Sequence, residues 1–167
     1  MPIYTMKKIR KILVATNLSR FSLEAVEYAR QLAAPRKAQL YLIHVIAPES
    51  EGVFRDVDIN KNVQNVKASL TYELEQLFTK HFKQEDNVAC VIRSGDVCKE
   101  IIKFAREESI DLIIMATHGR TGVTHVVMGS VAEKVVRYSS VPVLTIKPQI
   151  VTESLLTEED IEEQLHL

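Results

Sequence analysis

Cysteine, glycine and proline are all scarce in this sequence, and each scarcity removes a class of protein. The two cysteines, Cys90 and Cys98, fit neither a C-x-x-C redox pair nor a zinc-ligand pair, so two reduced, partly buried thiols are expected instead. Five glycines, five prolines and no single-residue run exclude fibrous and low-complexity chains. No window approaches the roughly 18 apolar residues of a spanning helix, and Met1 to Arg10 lacks the apolar stretch of a signal peptide. The formal net charge is −1, so nothing draws the chain to nucleic acid or to an anionic membrane. A cytoplasmic protein with neither of those partners is the expectation.

What remains is a 167-residue chain, 46% hydrophobic, which suffices for one domain with its own core. Its charge is unevenly placed. No Lys or Arg follows Lys147, while Glu153, Glu158, Glu159, Asp160, Glu162 and Glu163 do, so 21 basic against 16 acidic residues leave the body at +5. The last twenty residues form an acidic tail. Within it, Thr157 to Asp160 resembles a helix start, and Ile161 with Leu165 gives a short apolar stripe.

Strand and helix patterns alternate along the body, the mark of a parallel sheet covered on both faces. The first strand reads Ile9 to Thr16, and a helix runs from about Arg20 until Pro35 stops it. Leu40 to Ile46 is a second strand, closed by Pro48. Glu49 to Asn60 has no period and reads as a loop or lid, before a long amphipathic helix marked by Val63, Val66, Leu70, Leu74, Leu77 and Phe78. Val88 to Ile92 and Leu112 to Ala116 are the third and fourth strands, with a helix between them striped by Val97, Ile101, Ile102 and Ala105. Ser130 to Tyr138 is a short helix and Val141 to Ile146 the fifth strand. Pro142 lacks an N–H, so that strand belongs at a sheet edge. An apolar edge calls for a cover, and a homodimer through Val141, Val143, Leu144, Thr145 and Ile146 would supply it.

Three of the five glycines, Gly119, Gly122 and Gly129, fall between the fourth strand and the following helix. Glycine lets a backbone approach a ligand closely, and the N–H groups of a helix start make an anion site. Ser130 and Glu133 form an S-x-x-E capping box that marks the helix start. A capped helix behind a flexible loop, with no ligand, accounts for the same residues. Neither G-x-G-x-x-G nor G-x-x-x-x-G-K-[ST] occurs. In an open parallel sheet, ligands collect outside the carboxyl ends of the strands where the winding reverses. Those ends are Ala15-Thr16-Asn17, His44-Val45 and Ala116-Thr117-His118-Gly119.

The histidines His44, His81, His118, His125 and His166 make no metal spacing with one another or with other ligand types. His44 reads as a packing residue at a strand end, while His118 and His125 flank the glycine loop. No serine or cysteine lies in a nucleophile motif such as G-x-S-x-G.

The run MATHGRTGVTHVVMGSVAEKVV, Met115 to Val136, resembles the signature of the universal stress protein family, and KILVATNLS and LIHVI match its first two strands in order. The resemblance covers about Lys8 to Lys147. It implies a nucleotide-binding α/β domain over 8–147, with the acidic tail over 148–167 outside it. The implied fold is an open, doubly wound, Rossmann-like five-stranded parallel sheet in the order 3-2-1-4-5. ATP-binding members carry glycine, two residues, glycine, nine residues, then glycine with serine or threonine. Here Ala116 replaces the first glycine, before Gly119, Gly129 and Ser130, and Asn17 stands where many members have aspartate.

Carried over, the resemblance implies that the Val45 backbone holds adenine and that Ala15, Thr16 and Asn17 line base and ribose. His118, Gly119, Arg120, Thr121 and Gly122 would wrap the phosphates beside Ala116, capped by Gly129, Ser130 and the Val131 N–H. Arg120 is either a phosphate cation or a solvated side chain. The ligand implied is ATP; Mg²⁺ on its phosphates is expected chemically, no carboxylate pair being present in the loop. Three functions are compatible with these residues. The first is a stress-response protein whose ATP-dependent conformation partners recognise, without fast catalysis. The second is a dimeric interaction protein that has lost nucleotide binding, and the third an enzyme acting on the α-phosphate.

Overall fold

Apolar runs bounded by turn and cap residues set the elements. The computed structural model describes residues 8–47, 68–76, 79–80, 82, 87–117 and 128–147. Along it run β1 (Lys11–Ala15), α1 (Arg20–Ala33), β2 (Gln39–Ile46), helical residues 68–76 as α2, β3 (Val88–Ser94), α3 (Val97–Glu107), β4 (Leu112–Ala116), α4 (Ser130–Tyr138) and β5 (Val143–Ile146). The five strands form one parallel sheet in the order β3-β2-β1-β4-β5. This is the doubly wound arrangement that the family resemblance implies.

Each helix start has a local cause. Ser19 caps α1 by accepting from the Ser22 amide, and Asp96 caps α3 by accepting from the Lys99 amide at 2.8 Å. α1 ends at Ala33, because Pro35 permits only a short 3₁₀ turn over Ala34–Arg36 before Lys37 reverses the chain at φ +51°.

The chain winds outward from β1 through β2 to β3, then returns to place β4 on the other side of β1. Crossovers of one hand therefore put the early helices on one face and the later ones on the other. On the first face, Ile12, Val14, Leu40, Leu42, Leu112 and Ile114 pack with Ala25, Val26, Ala29 and Ala33 of α1 and with Phe82. Leu13, Ile43, Ile113 and Met115 pack on the second with Ile101, Phe104 and Ala105 of α3 and Ala132 and Val135 of α4. Consecutive strand residues alternate between these two cores, as the pleat requires. At the opposite end of the sheet, Asp111 Oδ2 accepts from the amides of Arg10 (2.9 Å) and Lys11 (3.1 Å), fastening the start of β4 to that of β1.

β5 lies at a sheet edge as expected, but it begins two residues later than the apolar run. Pro142 precedes the ladder and contributes only its carbonyl, which accepts from the Ile113 amide at 2.9 Å. β1 is similarly shorter than Ile9 to Thr16. Of the predicted second helix, Val63, Val66, Leu77 and Phe78 lie outside the described residues, as do the Glu49 to Asn60 segment and the acidic tail. No helix among the described residues is long and apolar enough to cross a membrane.

The cysteines separate: Cys98 is buried, whereas Cys90 on edge strand β3 is exposed, contrary to the expectation of two partly buried thiols. Period-two alternation fixes which face a residue takes but not how completely an edge strand is covered. Although the residue as a whole is exposed, partial burial of its thiol raises the Cys90 pKa above the ordinary value, and the Glu75 carboxylate raises it further. The thiolate fraction at pH 7 is thereby reduced. Alkylation of Cys90 should be slow at pH 7 and accelerate up to about tenfold per pH unit through pH 8–9. Glu75→Gln should raise the pH 7.5 rate, and an unchanged rate would show that Glu75 does not act on this sulfur.

Candidate functional site

Register brings the strand ends into one row. Ala15 of β1 pairs with Ile43 of β2 on one side and with Met115 of β4 on the other. All three face α3 and α4. A small residue between two large ones leaves a hollow, and a cavity of about 270 Å³ opens there. The row Ile43, Ala15, Met115 is its floor. Val97 and Ile101 of α3 and Val131 and Ala132 of α4 wall one side, and Thr16 and Asn17 just past β1, with Ala116 at the end of β4 and Thr117 just past it, form its rim.

The rim is where the fold keeps its polar interior. Thr16, Ser22, His44 and Thr117 are the buried polar residues among those described, and all four sit at this end of the sheet. None has a buried side-chain polar atom left without a partner. His44 Nδ1 donates to the Thr16 carbonyl at 2.9 Å, so it is more than the packing residue expected. Asn17 Oδ1 accepts from the Ser19 amide at 3.1 Å, an Asx turn that aspartate would make equally well.

The start of α4 differs from the starts of α1 and α3. Its N-cap is Gly129, with no side-chain cap. The capping box read from Ser130 and Glu133 is therefore not formed: Ser130 is the first helical residue, and the Glu133 amide donates to the Gly129 carbonyl at 2.9 Å. The reason is proximity. The Gly129 amide donates to the Thr117 carbonyl at 2.6 Å, and a Cβ on residue 129 would come within 2.8 Å of that oxygen. Glycine is needed to seat α4 against the end of β4, and the box shifts out of register. The first amides of α4 are left uncapped beside the cavity, which Gly129, Ser130, Val131 and Ala132 line.

Ala116 closes β4 in extended backbone; its φ is not positive, so alanine sits there without strain. Of the residues expected at the site, Ala15, Thr16, Asn17, Val45, Ala116, Gly129, Ser130 and Val131 all line the one cavity. His118, Gly119, Arg120, Thr121 and Gly122 lie outside the described residues. Sequence reasoning missed Ser22, Ile43, Val97, Ile101, Met115 and Ala132, which line it too, and it placed Thr117 at the crevice without naming it as a site residue. Periodicity marks Ile43, Ile101 and Met115 as buried, but only the register shows that they are buried around a hollow. No charged side chain lines the cavity among the described residues, and none of their His, Cys, Asp and Glu side chains cluster as a metal site.

A doubly wound sheet with a cavity and a helix start at the reversal of strand order defines an α/β protein with a crevice at the place where such sheets usually take ligands. Comparison narrows this. Residues 8–147 match the model of the universal stress protein family, and the chain belongs to that family. It is 30% identical over 154 residues to Universal stress protein MJ0577 of Methanocaldococcus jannaschii, covering 83% of this chain and 94% of that protein. To Universal stress protein A homolog 2 of Coxiella burnetii it is 31% identical over 149 residues, covering 85% and 97%. The solved structure of MJ0577 superposes with a TM-score of 0.74 at 27% identity, over 84% of this chain and 97% of that one. A universal stress protein solved in complex with cAMP shares the fold, with a TM-score of 0.60 at 21% identity over 84% and 98%.

Gly129→Ala tests the seating of α4. The added methyl must displace backbone, so the variant should lose about 1–3 kcal/mol in denaturant unfolding. A loss below about 0.5 kcal/mol would mean that the close approach is not required.

Proposed function

We propose that this chain is a cytoplasmic stress-response protein that binds an adenine nucleotide, ATP with Mg²⁺, in the cavity at the ends of β1 and β4. It acts through the conformation the nucleotide stabilises rather than through fast catalysis. The observation carrying this reading is the uncapped start of α4 beside a cavity of about 270 Å³ whose floor is apolar. An apolar floor suits a base, and unclaimed helix amides suit phosphate.

On this reading the Val45 backbone and Ala15 contact adenine, Asn17 the ribose, and Ser130 with the Val131 amide the phosphates. The glycine loop with Arg120 wraps the remainder. No carboxylate lines the cavity among the described residues, so Mg²⁺ would be held by phosphate and water. Family likeness supports the assignment, and a neighbour of the same fold is solved with cAMP, itself an adenine nucleotide.

A second reading, a dimeric interaction protein that does not bind nucleotide, is favoured by the absence of charged lining side chains among the described residues. ATP with Mg²⁺ at a hundred times its Kd should raise the melting temperature by about 5–10 °C, and an equal ionic strength of sulfate should not. Calorimetry without heat, and no shift at millimolar ATP, would favour the second reading. Ala116→Gly should change affinity by less than about threefold, since alanine is unstrained there.

We further propose a homodimer through β5, with Val141, Val143, Leu144, Thr145 and Ile146 at the interface. β5 is an edge strand, half-buried along its whole length. The Pro142 and Ile146 carbonyls accept from the amides of Ile113 in β4 and of Thr117 just after it, so alternation turns Val143 and Thr145 outward as pairing groups. Sedimentation at micromolar concentration should give twice the chain mass, reduced by Thr145→Lys. A wild-type monomer would remove the proposal.

A further inference from the structure

We infer that His44 is a positioning residue for the cavity, fixing the turn between β1 and α1 through the Thr16 carbonyl; the inference rests on the nucleotide reading of that cavity. Regular pairing of β1 ends at Ala15, yet the next two residues form part of the rim. Something other than the ladder must hold them. Thr16 is gripped by consecutive residues of β2: its amide donates to the Ile43 carbonyl at 2.9 Å, and its carbonyl accepts from His44 Nδ1 at 2.9 Å. A carbonyl can only accept, so Nδ1 carries the proton.

The Thr16 side chain extends the grip into the turn. Ser22 Oγ donates its single proton to the Ser19 carbonyl at 2.8 Å. The 2.8 Å contact between Thr16 Oγ1 and Ser22 Oγ is therefore donated by Thr16, whose oxygen is left to accept from the Leu18 amide at 3.1 Å. Leu18 stands at φ +61°, a conformation costly for leucine that persists only where its surroundings impose it. Asn17 lies between these two anchored residues and lines the cavity. His44 is 8% exposed, and its neighbours Ile43 and Val45 line the cavity while it does not. Its ring touches the chain behind the rim and acts through Thr16.

Removing the ring's donor leaves a buried carbonyl unmatched, while a shorter amide at the same place restores it. The test compares His44→Leu, His44→Asn and, as a core control on the α1 face, Val26→Ala. Amide exchange by NMR at Leu18 and Ser19 reports the turn without any ligand. In His44→Leu, exchange there should quicken about tenfold more than at Leu13 and Ile114, and the Kd for ATP with Mg²⁺ should weaken about tenfold. His44→Asn should recover both to within about threefold of wild type. Val26→Ala should lower the melting temperature without singling out the turn.

Exchange at Leu18 and Ser19 that quickens over wild type no more than at Leu13 and Ile114, or His44→Asn no better than His44→Leu, would overturn the inference. A wild type indifferent to millimolar ATP would overturn the nucleotide reading alone, because the exchange measurement still reads the turn. Should His44→Leu fail to fold, His44→Asn and His44→Gln decide: the Asn amide takes the place of Nδ1 and the Gln amide that of Nε2. A turn quieter in Asn than in Gln supports the inference, and the reverse order overturns it.

Discussion

A polar group taken out of water must find a partner, and that constraint organises the working end of this molecule. The buried polar side chains among the described residues gather where β1 and β4 end, and every one is hydrogen-bonded. Among the described residues, the rest of the two cores is apolar. The hydroxyls of Thr16 and Ser22 and the ring of His44 hold the β1 side, and the Thr117 carbonyl holds the β4 side by accepting from Gly129. The crevice keeps its width because both banks are fastened.

The floor obeys a different rule. Ile43, Ala15 and Met115 form one row because parallel register places them side by side, and a small residue between two large ones leaves room. Their apolar character suits a flat aromatic group, whereas the amides of α4 suit charge. These two requirements come from different elements, a strand row and a helix start. Gly129 joins them by allowing α4 to approach the end of β4 more closely than a side chain would permit.

Strand and helix positions were legible because this sheet is covered on both faces, which turns strands into plain apolar runs and helices into amphipathic stripes. β4 and α4 match their expected limits, and β5 takes the edge that Pro142 implied. The capping box misled because S-x-x-E is a local pattern, and the contact of Gly129 with Thr117 joins residues whose spacing says nothing of their distance. Ser22 was invisible as a site residue for a related reason. In sequence it is a small polar residue near a helix start, and its partnership with Thr16 exists only once α1 folds back over β1. Cys90 shows the limit of alternation, which assigns a face without saying how well an edge is covered.

The register of β1 against β4 joins residues about a hundred positions apart, Ile12 beside Leu112. On the ribosome, β1 can pair with β2 early, but its other flank stays bare until β4 has been made. At 5–20 residues per second that interval lasts roughly 5–20 s. Throughout it, an apolar strand destined for the centre of the sheet is an open edge, the kind of surface that chaperones shield and that misassembly exploits. The crevice at the strand ends, which needs both flanks, is thus among the last parts of a newborn chain to take shape.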